Sequence, residues 1–255
     1  MYGKFDNIKI CGIASAAPKR VVDNESIAEK LGKRRAKKQV ELTGIKHRHL
    51  MDKGQSAADL SCVCGEKLLN ELGWNRDEIR VIVNVTQSPD FHTPSTAMLI
   101  QKRLHIGQDC LAFDVNLGCT GYVSGLQIIS ALLQNTGGKG LLFVGDGRYQ
   151  EMPEVPSTDS LLFGDGSSAT AIEIEEGNPL FYAQKTDGDA VLLFSLNEVC
   201  QSIRDMRQHY SISEDSIDFY ILHQAQKLIL DGIARECEID SHKVIQSYEE
   251  YGNTS

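Results

Sequence analysis

The chain has 255 residues, 26 of them basic and 35 acidic, for a formal net charge of −9. That length allows one large domain or two smaller halves, and the acidic balance argues against nucleic acid as a main partner. No apolar run approaches a membrane span and residues 1–10 lack the make-up of a secretory signal, so no membrane partner is expected and the default compartment is the cytoplasm.

Hydrophobic periodicity predicts a strand over 7–13, helices near 24–31 and over 56–72, a strand over 80–86 and a helix over 95–104. Next come a strand over 110–115, a helix over 122–134, and strands over 140–145, 168–173 and 180–184. A helix over 190–209, a strand over 217–222, a helix over 224–236 and a short strand near 243–247 complete the order. Nearly continuous apolar strands separated by helices imply sheets covered on both faces.

A weak internal repeat runs through this alternation. The turn Arg76-Asp77-Glu78, between a helix and a strand, recurs as Glu214-Asp215-Ser216 at an offset of 138 (215 − 77). Further on, Gly118-Cys119-Thr120 answers to Gly252-Asn253-Thr254 at an offset of 134 (253 − 119). A duplicated α/β unit places Cys119, His223 and Asn253 at corresponding strand ends, the part of an open sheet where ligands bind. On this reading the second copy stops short, its last helix and strand lying past Ser255.

The seven cysteines (Cys11, Cys62, Cys64, Cys110, Cys119, Cys200 and Cys237) are scattered, which indicates reduced thiols, mostly in the core, and neither a disulfide framework nor a zinc site. Cys119 differs from the rest. It sits where a strand ends in a small-residue turn and a helix begins, and unpaired N–H groups and the helix dipole there favour thiolate over thiol. The alternative is a packed core cysteine. A thiolate facing a histidine and an asparagine can run acyl transfer, with the two side chains donating hydrogen bonds to an oxygen that becomes negative.

Four segments converge on one family: Asn116-Leu117-Gly118-Cys119-Thr120-Gly121-Tyr122, Phe163-Gly164-Asp165-Gly166-Ser167-Ser168-Ala169, Leu222-His223-Gln224-Ala225-Gln226 and Tyr251-Gly252-Asn253-Thr254-Ser255. Together they resemble the motif set of β-ketoacyl-acyl-carrier-protein synthase III, of the thiolase superfamily. Thr43-Gly44-Ile45-Lys46-His47-Arg48-His49 is similar to that family's TGIxxRH segment, and Thr93-Pro94-Ser95 to its stretch before the helix that precedes the cysteine strand. The resemblance implies an α/β, thiolase-like layered αβαβα fold of two pseudo-repeated halves. Residues 1–174 carry the nucleophile, and 175–255 carry the histidine and asparagine in an incomplete second half.

The resemblance also implies a reaction. Cys119 takes an acyl primer from a thioester, malonyl on acyl carrier protein loses carbon dioxide, and His223 and Asn253 hydrogen-bond the enolate that attacks the acyl-cysteine. Both side chains present an N–H donor while neutral. Such a site is expected to be a tunnel holding little water, with no metal or redox cofactor. Acyl carrier protein is the implied partner and a homodimer the implied assembly, with the Thr93 region reaching across an isologous interface.

Departures from the pattern carry their own expectations. Lys38 stands where the family has a tryptophan that stacks on coenzyme A, and Leu42 where it has an arginine, which points to a carrier protein as primer donor. Gln226 ends the HQAN-like segment, Leu228 replaces a cation with Lys227 beside it, and Thr93 replaces an aromatic, which allows a bulkier or branched primer. With Gln224, the residues Thr93, Lys38, Gln226 and Lys227 are the candidate pocket or carrier contacts. Residues 33–38 hold five cations, read as a solvated loop or as a landing strip for an acidic carrier. Gly188 to Phe194 resembles a family helix start that comes too directly after strand 180–184, so a loop is expected to be missing near Lys185 to Asp187. A glycine-rich turn that completes an oxyanion hole is expected past Ser255.

Two other readings stay open, a non-decarboxylating acyltransferase on the same fold and a non-catalytic partner subunit. A papain-like protease is disfavoured because no CGSCW-like segment surrounds Cys119. Asp146 and Asp165 read as turn residues, residues 135–140 as a helix stop, and Trp74 as packing over another. His92, His105, His209 and His242 read as surface residues. His47 and His49 read as facing opposite sides of a strand or loop, with no role assigned.

Overall fold

The computed structural model of the chain describes residues 1–30, 34–147, 161–184 and 191–255, with the backbone alone at 35 and 191–196. Lys33, the expected junction at Lys185 to Asp187 and the helix start at Gly188 lie outside the described residues. In chain order the elements are β1 (Tyr2–Phe5), β2 (Ile8–Ala16), β3 (Arg20–Asp23), α1 (Asn24–Lys30), α2 (Arg34–Thr43), β4 (His47–Leu50), α3 (Ala57–Leu72), β5 (Ile79–Val85) and α4 (Thr96–Arg103). They continue with β6 (Leu111–Val115), α5 (Gly121–Thr136), β7 (Lys139–Asp146), β8 (Gly166–Ile174), β9 (Leu180–Ala183), α6 (Val191–His209), α7 (Lys227–Glu236) and α8 (Tyr248–Tyr251).

Five strands form a mixed sheet in the order β2-β8-β7-β5-β6, with β5 parallel to both β6 and β7. Its strands read as continuous apolar runs because both faces are covered. Ile82 and Phe143 meet Leu68, Leu69, Ile100 and Leu104 of α3 and the α4 region, while Val81, Val83 and Val85 meet Leu126, Ile129 and Leu133 of α5. Each such fully buried side chain stabilises the fold by roughly 1.5–3 kcal/mol. Smaller sheets pair β3 with β4 and β1 with β9, both antiparallel. Among the described residues no helix is long and apolar enough to cross a membrane.

The repeat shows at its turns. Short 3-10 helices occupy Arg76–Glu78 and Glu214–Ser216, each capped by the preceding side chain: Asn75 accepts from the Asp77 N–H at 3.1 Å and Ser213 from that of Asp215 at 3.4 Å. The segments after these turns differ. Residues 217–222 and 243–247, expected as strands, meet in a single parallel bridge between Tyr220 and Val244. The reason is pairing: β5 lies between two neighbours, whereas Tyr220 only donates to Lys243 and accepts from Ile245.

Two further expectations are corrected. The helix expected from 224 begins at Lys227, because the Gln224 side chain is tied to the Leu222 and Ile245 carbonyls and the Ser247 N–H, which holds 223–226 out of the helix. The solvated loop considered for 33–38 is the start of a helix, α2. Ala36 and Val40, four apart, bury against Ala28 and Leu161 and leave Arg34, Lys37 and Lys38 exposed.

Candidate active site

Three parallel strands of the sheet end on the same side, and their ends build the turn that carries Cys119. After β6 the chain closes through Leu117 N–H to the Val115 carbonyl (3.2 Å) and Gly121 N–H to the Gly118 carbonyl (2.6 Å), which starts α5 one residue after the N-cap Thr120. Cys119 stands in this turn as the only exposed cysteine of the seven, none of which is in a disulfide. Burial pushes the thiols of Cys11 and Cys237 up to about 12 and those of Cys64 and Cys110 up to about 11, which leaves them poor nucleophiles.

Beside the turn, the loop after β5 is held by a single buried carboxylate. Oδ1 of Asp146 accepts from the Thr86 hydroxyl (2.9 Å), the Gln87 N–H (2.7 Å), and the Ser88 N–H (3.0 Å) and hydroxyl (2.9 Å). Asp114 does similar work one strand over, accepting from the Thr96 and Ala97 N–H groups at the start of α4 and from Asn84. The loop delivers Gln87 against the Cys119 turn. A Cβ on Gly118 would lie 2.8 Å from Gln87 Oε1, so any larger residue before Cys119 must displace the end of the Gln87 side chain.

Gln87 also reaches the asparagine. Its Oε1 accepts from the Ser255 hydroxyl at 3.2 Å, and the Ser255 N–H donates to Asn253 Oδ1 at 3.0 Å. Asn253 is only 5% exposed and pairs with Phe163: its N–H donates to the Leu162 carbonyl (3.0 Å) and its carbonyl accepts from Gly164 (2.9 Å). Thus the Phe163–Ala169 motif is wrapped by the Tyr251–Ser255 motif. Under this pair lies Arg48, fully buried, which donates from Nε to Asn24 Oδ1 (2.7 Å) and from Nη1 to the Phe163 carbonyl (2.9 Å). Asp165, equally buried, accepts from the Met51 N–H at 2.8 Å.

His223 ends the extended stretch that bridges to Val244, and residues 244–247 lead directly into α8 and Asn253. Its Nε2 is buried and without a hydrogen-bond partner among the described residues, and burial lowers its pKa from the ordinary 6.5. An unpartnered buried ring nitrogen has bonding capacity left for a ligand atom or a water. The depressed value has a consequence for stability. The unfolded chain takes up a proton near pH 6.5 that the folded chain refuses, so stability falls as pH drops from that value through the depressed one and levels off below it. Thermal melts between pH 7.5 and 5 should show a steeper loss for the wild type than for His223→Gln; parallel losses would contradict the burial account.

The remaining candidates are spread more widely. Lys38 projects from α2 and Thr93 lies exposed before α4. Gln226 caps α7, Lys227 pairs with Asp231 at 2.7 Å and lies against Gly44, and Leu228 is 53% exposed. Gln224 spends both ends of its amide on the backbone. His92, His105, His209 and His242 are exposed as expected. The expectation for His47 and His49 is overturned: both reach Glu250, since residues two apart in a strand share a face. The sequence does not mark Arg48, Gln87, Asp114 and Asp146 as site residues. Only the burial of a charge inside a motif, as at Arg48 in the TGIxxRH-like segment, could have marked one of them.

Residues 113–188 match the family profile described as 3-oxoacyl-[acyl-carrier-protein (ACP)] synthase III, and residues 208–255 match that of its C-terminal part. The first match contains Cys119 and the second contains His223 and Asn253. Over both segments the chain is similar to this synthase III family. A β-ketoacyl-[acyl-carrier-protein] synthase III of Rhizorhabdus wittichii is 26% identical over 96% of this chain and 86% of its own length, and one of Neisseria meningitidis is 25% identical over 97% and 86%. The crystal structure of a 3-oxoacyl-(acyl-carrier protein) synthase of Burkholderia xenovorans superposes with a TM-score of 0.91 at 27% identity, covering all of this chain and 84% of that one. The chain therefore has the thiolase-like fold of the synthase III enzymes.

Proposed function

We propose that this synthase III relative holds an acyl primer on Cys119 and condenses it with malonyl-acyl carrier protein, with loss of carbon dioxide, to give a β-ketoacyl thioester for fatty-acid or related biosynthesis. The observation that carries this reading is the exposed thiol of Cys119 in a turn linked through Gln87 to Asn253, with the unpartnered His223 Nε2 on the stretch beside α8.

In the first step the Cys119 sulfur attacks the primer thioester carbonyl, a C–S bond to Cys119 forms, and the carrier thiol leaves with a proton. In the second, the bond between the malonyl α-carbon and its carboxylate breaks and carbon dioxide leaves. The electron pair moves into an enolate whose oxygen accepts N–H bonds from His223 and Asn253. The enolate carbon attacks the acyl-cysteine carbonyl, and the C–S bond breaks to free Cys119. A neutral His223, kept so by burial, suits the donor role. None of these steps calls on a metal or redox cofactor.

The exposed Arg34, Lys37 and Lys38 of α2 favour an acidic acyl carrier protein as primer donor, through charge steering that salt weakens. A homodimer is supported by β6, which among the described residues pairs only with β5 and leaves its outer edge and Leu111 open. Sedimentation equilibrium should return twice the chain mass; a monomer would sink that assembly.

The test is mass spectrometry of the protein after incubation with acyl-carrier and acyl-coenzyme A thioesters, with malonyl-acyl carrier protein added afterwards. Acyl mass should land on Cys119 faster from the carrier protein, and carbon dioxide should appear in step with product. Equal loading from coenzyme A would sink the carrier preference, and product without carbon dioxide would sink decarboxylation.

A further inference from the structure

The grip of β4 on α8 plays no part in the proposed chemistry. α8 has only four residues and ends at Gly252, one position before Asn253. So short a helix does not hold itself, because the first turn fixes several dihedrals for one hydrogen bond. Its placement must come from neighbours. On its inner side Tyr248, 3% exposed, packs among Ile45, Ile229, Leu230 and Val244. On its outer side the polar contacts come from β4 and the residue before it.

There the Lys46 N–H donates to the Glu249 carbonyl at 2.9 Å, and Lys46 Nζ pairs with the Glu249 carboxylate at 2.7 Å. His47 Nδ1 lies 2.8 Å from Glu250 Oε2, and His49 Nε2 lies 3.8 Å from Glu250 Oε1. The His49 ring stacks on that of Tyr251, with centroids 5.0 Å apart and planes at 26°. Its Nδ1 donates to the Pro18 carbonyl at 2.5 Å, which fixes the ring from behind. The His49 carbonyl accepts from the Asp165 N–H at 2.7 Å, so this one residue touches both motifs that enclose Asn253.

The ion pairs are exposed and contribute little individually. The stack differs. His49 has 16% of its side chain exposed, and the face of its ring is what Tyr251 rests on, two residues before Asn253.

We propose that His49 is a positioning residue for the condensation step: by stacking on Tyr251 it sets where the Asn253 side chain meets the enolate. It acts through Tyr251 and not on the reacting atoms themselves. This inference rests on the proposed role of Asn253 as an enolate donor. It separates the two half-reactions, since acyl loading depends on Cys119 while enolate formation depends on Asn253.

The experiment measures both in the full chain: the rate of acyl loading on Cys119 by mass spectrometry, and condensation with malonyl-acyl carrier protein by product formation, as kcat and KM. His49→Ala should load at the wild-type rate and condense about 10- to 100-fold more slowly in kcat, the scale expected for a misplaced group near the chemistry, with KM for malonyl-acyl carrier protein unchanged. Tyr251→Ala should show the same split, Tyr251→Phe should restore condensation by keeping the stack, and the double alanine variant should be no worse than either single one. Wild-type condensation by both His49→Ala and Tyr251→Ala would overturn the proposal. So would a fall in loading that matches the fall in condensation, since that reports general damage. Asn253→Ala, run alongside, identifies which idea failed: if it too condenses normally, the reading of Asn253 is wrong; if it alone loses condensation, only the positioning role falls.

Discussion

Cys119→Ala protein should take up no acyl group from any thioester and should lose condensation by a factor of about 10⁴ or more, the scale seen when a covalent nucleophile is removed. The effect is large because no other cysteine can substitute. Cys64, Cys200 and Cys237 are buried, and Cys11, Cys62 and Cys110 are packed against the first core, all but Cys200 with thiols that burial raises. Cys110→Ala and Cys62→Ala should therefore load normally. Intact-mass measurement of the three variants after incubation with acyl-acyl carrier protein checks this. An acyl adduct on Cys119→Ala, with product still formed, would mean that the chain acts through another group and that the covalent step is wrong.

The second large effect is expected at a residue with no side chain at all. A methyl group on Gly164 would lie 2.1 Å from the Tyr251 carbonyl oxygen, with the His49 carbonyl at 3.5 Å on another side. Backbone faces backbone there, so neither wall can yield as a long side chain would. Gly164→Ala must push the Tyr251–Asn253 turn away from the Phe163 pairing. The stability cost should reach about 3 kcal/mol, the upper part of the range for overpacking, and condensation should be lost with it. At Gly107 the nearest atom to a new Cβ is Asp77 Oδ1 at 3.4 Å, so Gly107→Ala should be close to neutral. Urea unfolding of the two variants gives the comparison, and equal midpoints would show that the motif pair is not tightly packed.

Long elements were legible because their signal is local. Helix 56–72 and strand 168–173 were expected from periodicity alone, and α3 and β8 occupy Ala57–Leu72 and Gly166–Ile174. Several short elements were not. β1, β3 and β4 have four residues each, and their partners β9, β4 and β3 supply the hydrogen bonds that make them strands. At α2 the run of cations masked the Ala36 and Val40 spacing. At 217–222 the apolar pattern was right for a strand, but a strand is defined by its neighbours, and a single bridge to Val244 is all that the described residues supply.

The site divides along the same line. Cys119, His223 and Asn253 stood out because each lies in a motif readable over a few residues and at matching places in the repeat, and the family profiles match the segments that hold those motifs. The supports did not stand out, because their bonds join residues far apart in the chain. Asp146 holds a loop about sixty residues before it, and Arg48 reaches Phe163 more than a hundred residues on. Asp146 and Asp165 looked like turn residues by composition and prove to be buried acceptors for backbone N–H groups. His47 and His49 needed only the two-residue period of a strand to be put on one face, yet what that face grips, Glu250 and Tyr251, lies about two hundred residues away. Residue chemistry, local period and short motifs, carried by the chain itself, marked the alternation of elements, the candidate thiol and its two candidate donors. Which carboxylate steadies which loop, and what holds Asn253 in place, was decided only by tertiary packing, because a hydrogen bond depends on distance in space and not on separation along the chain.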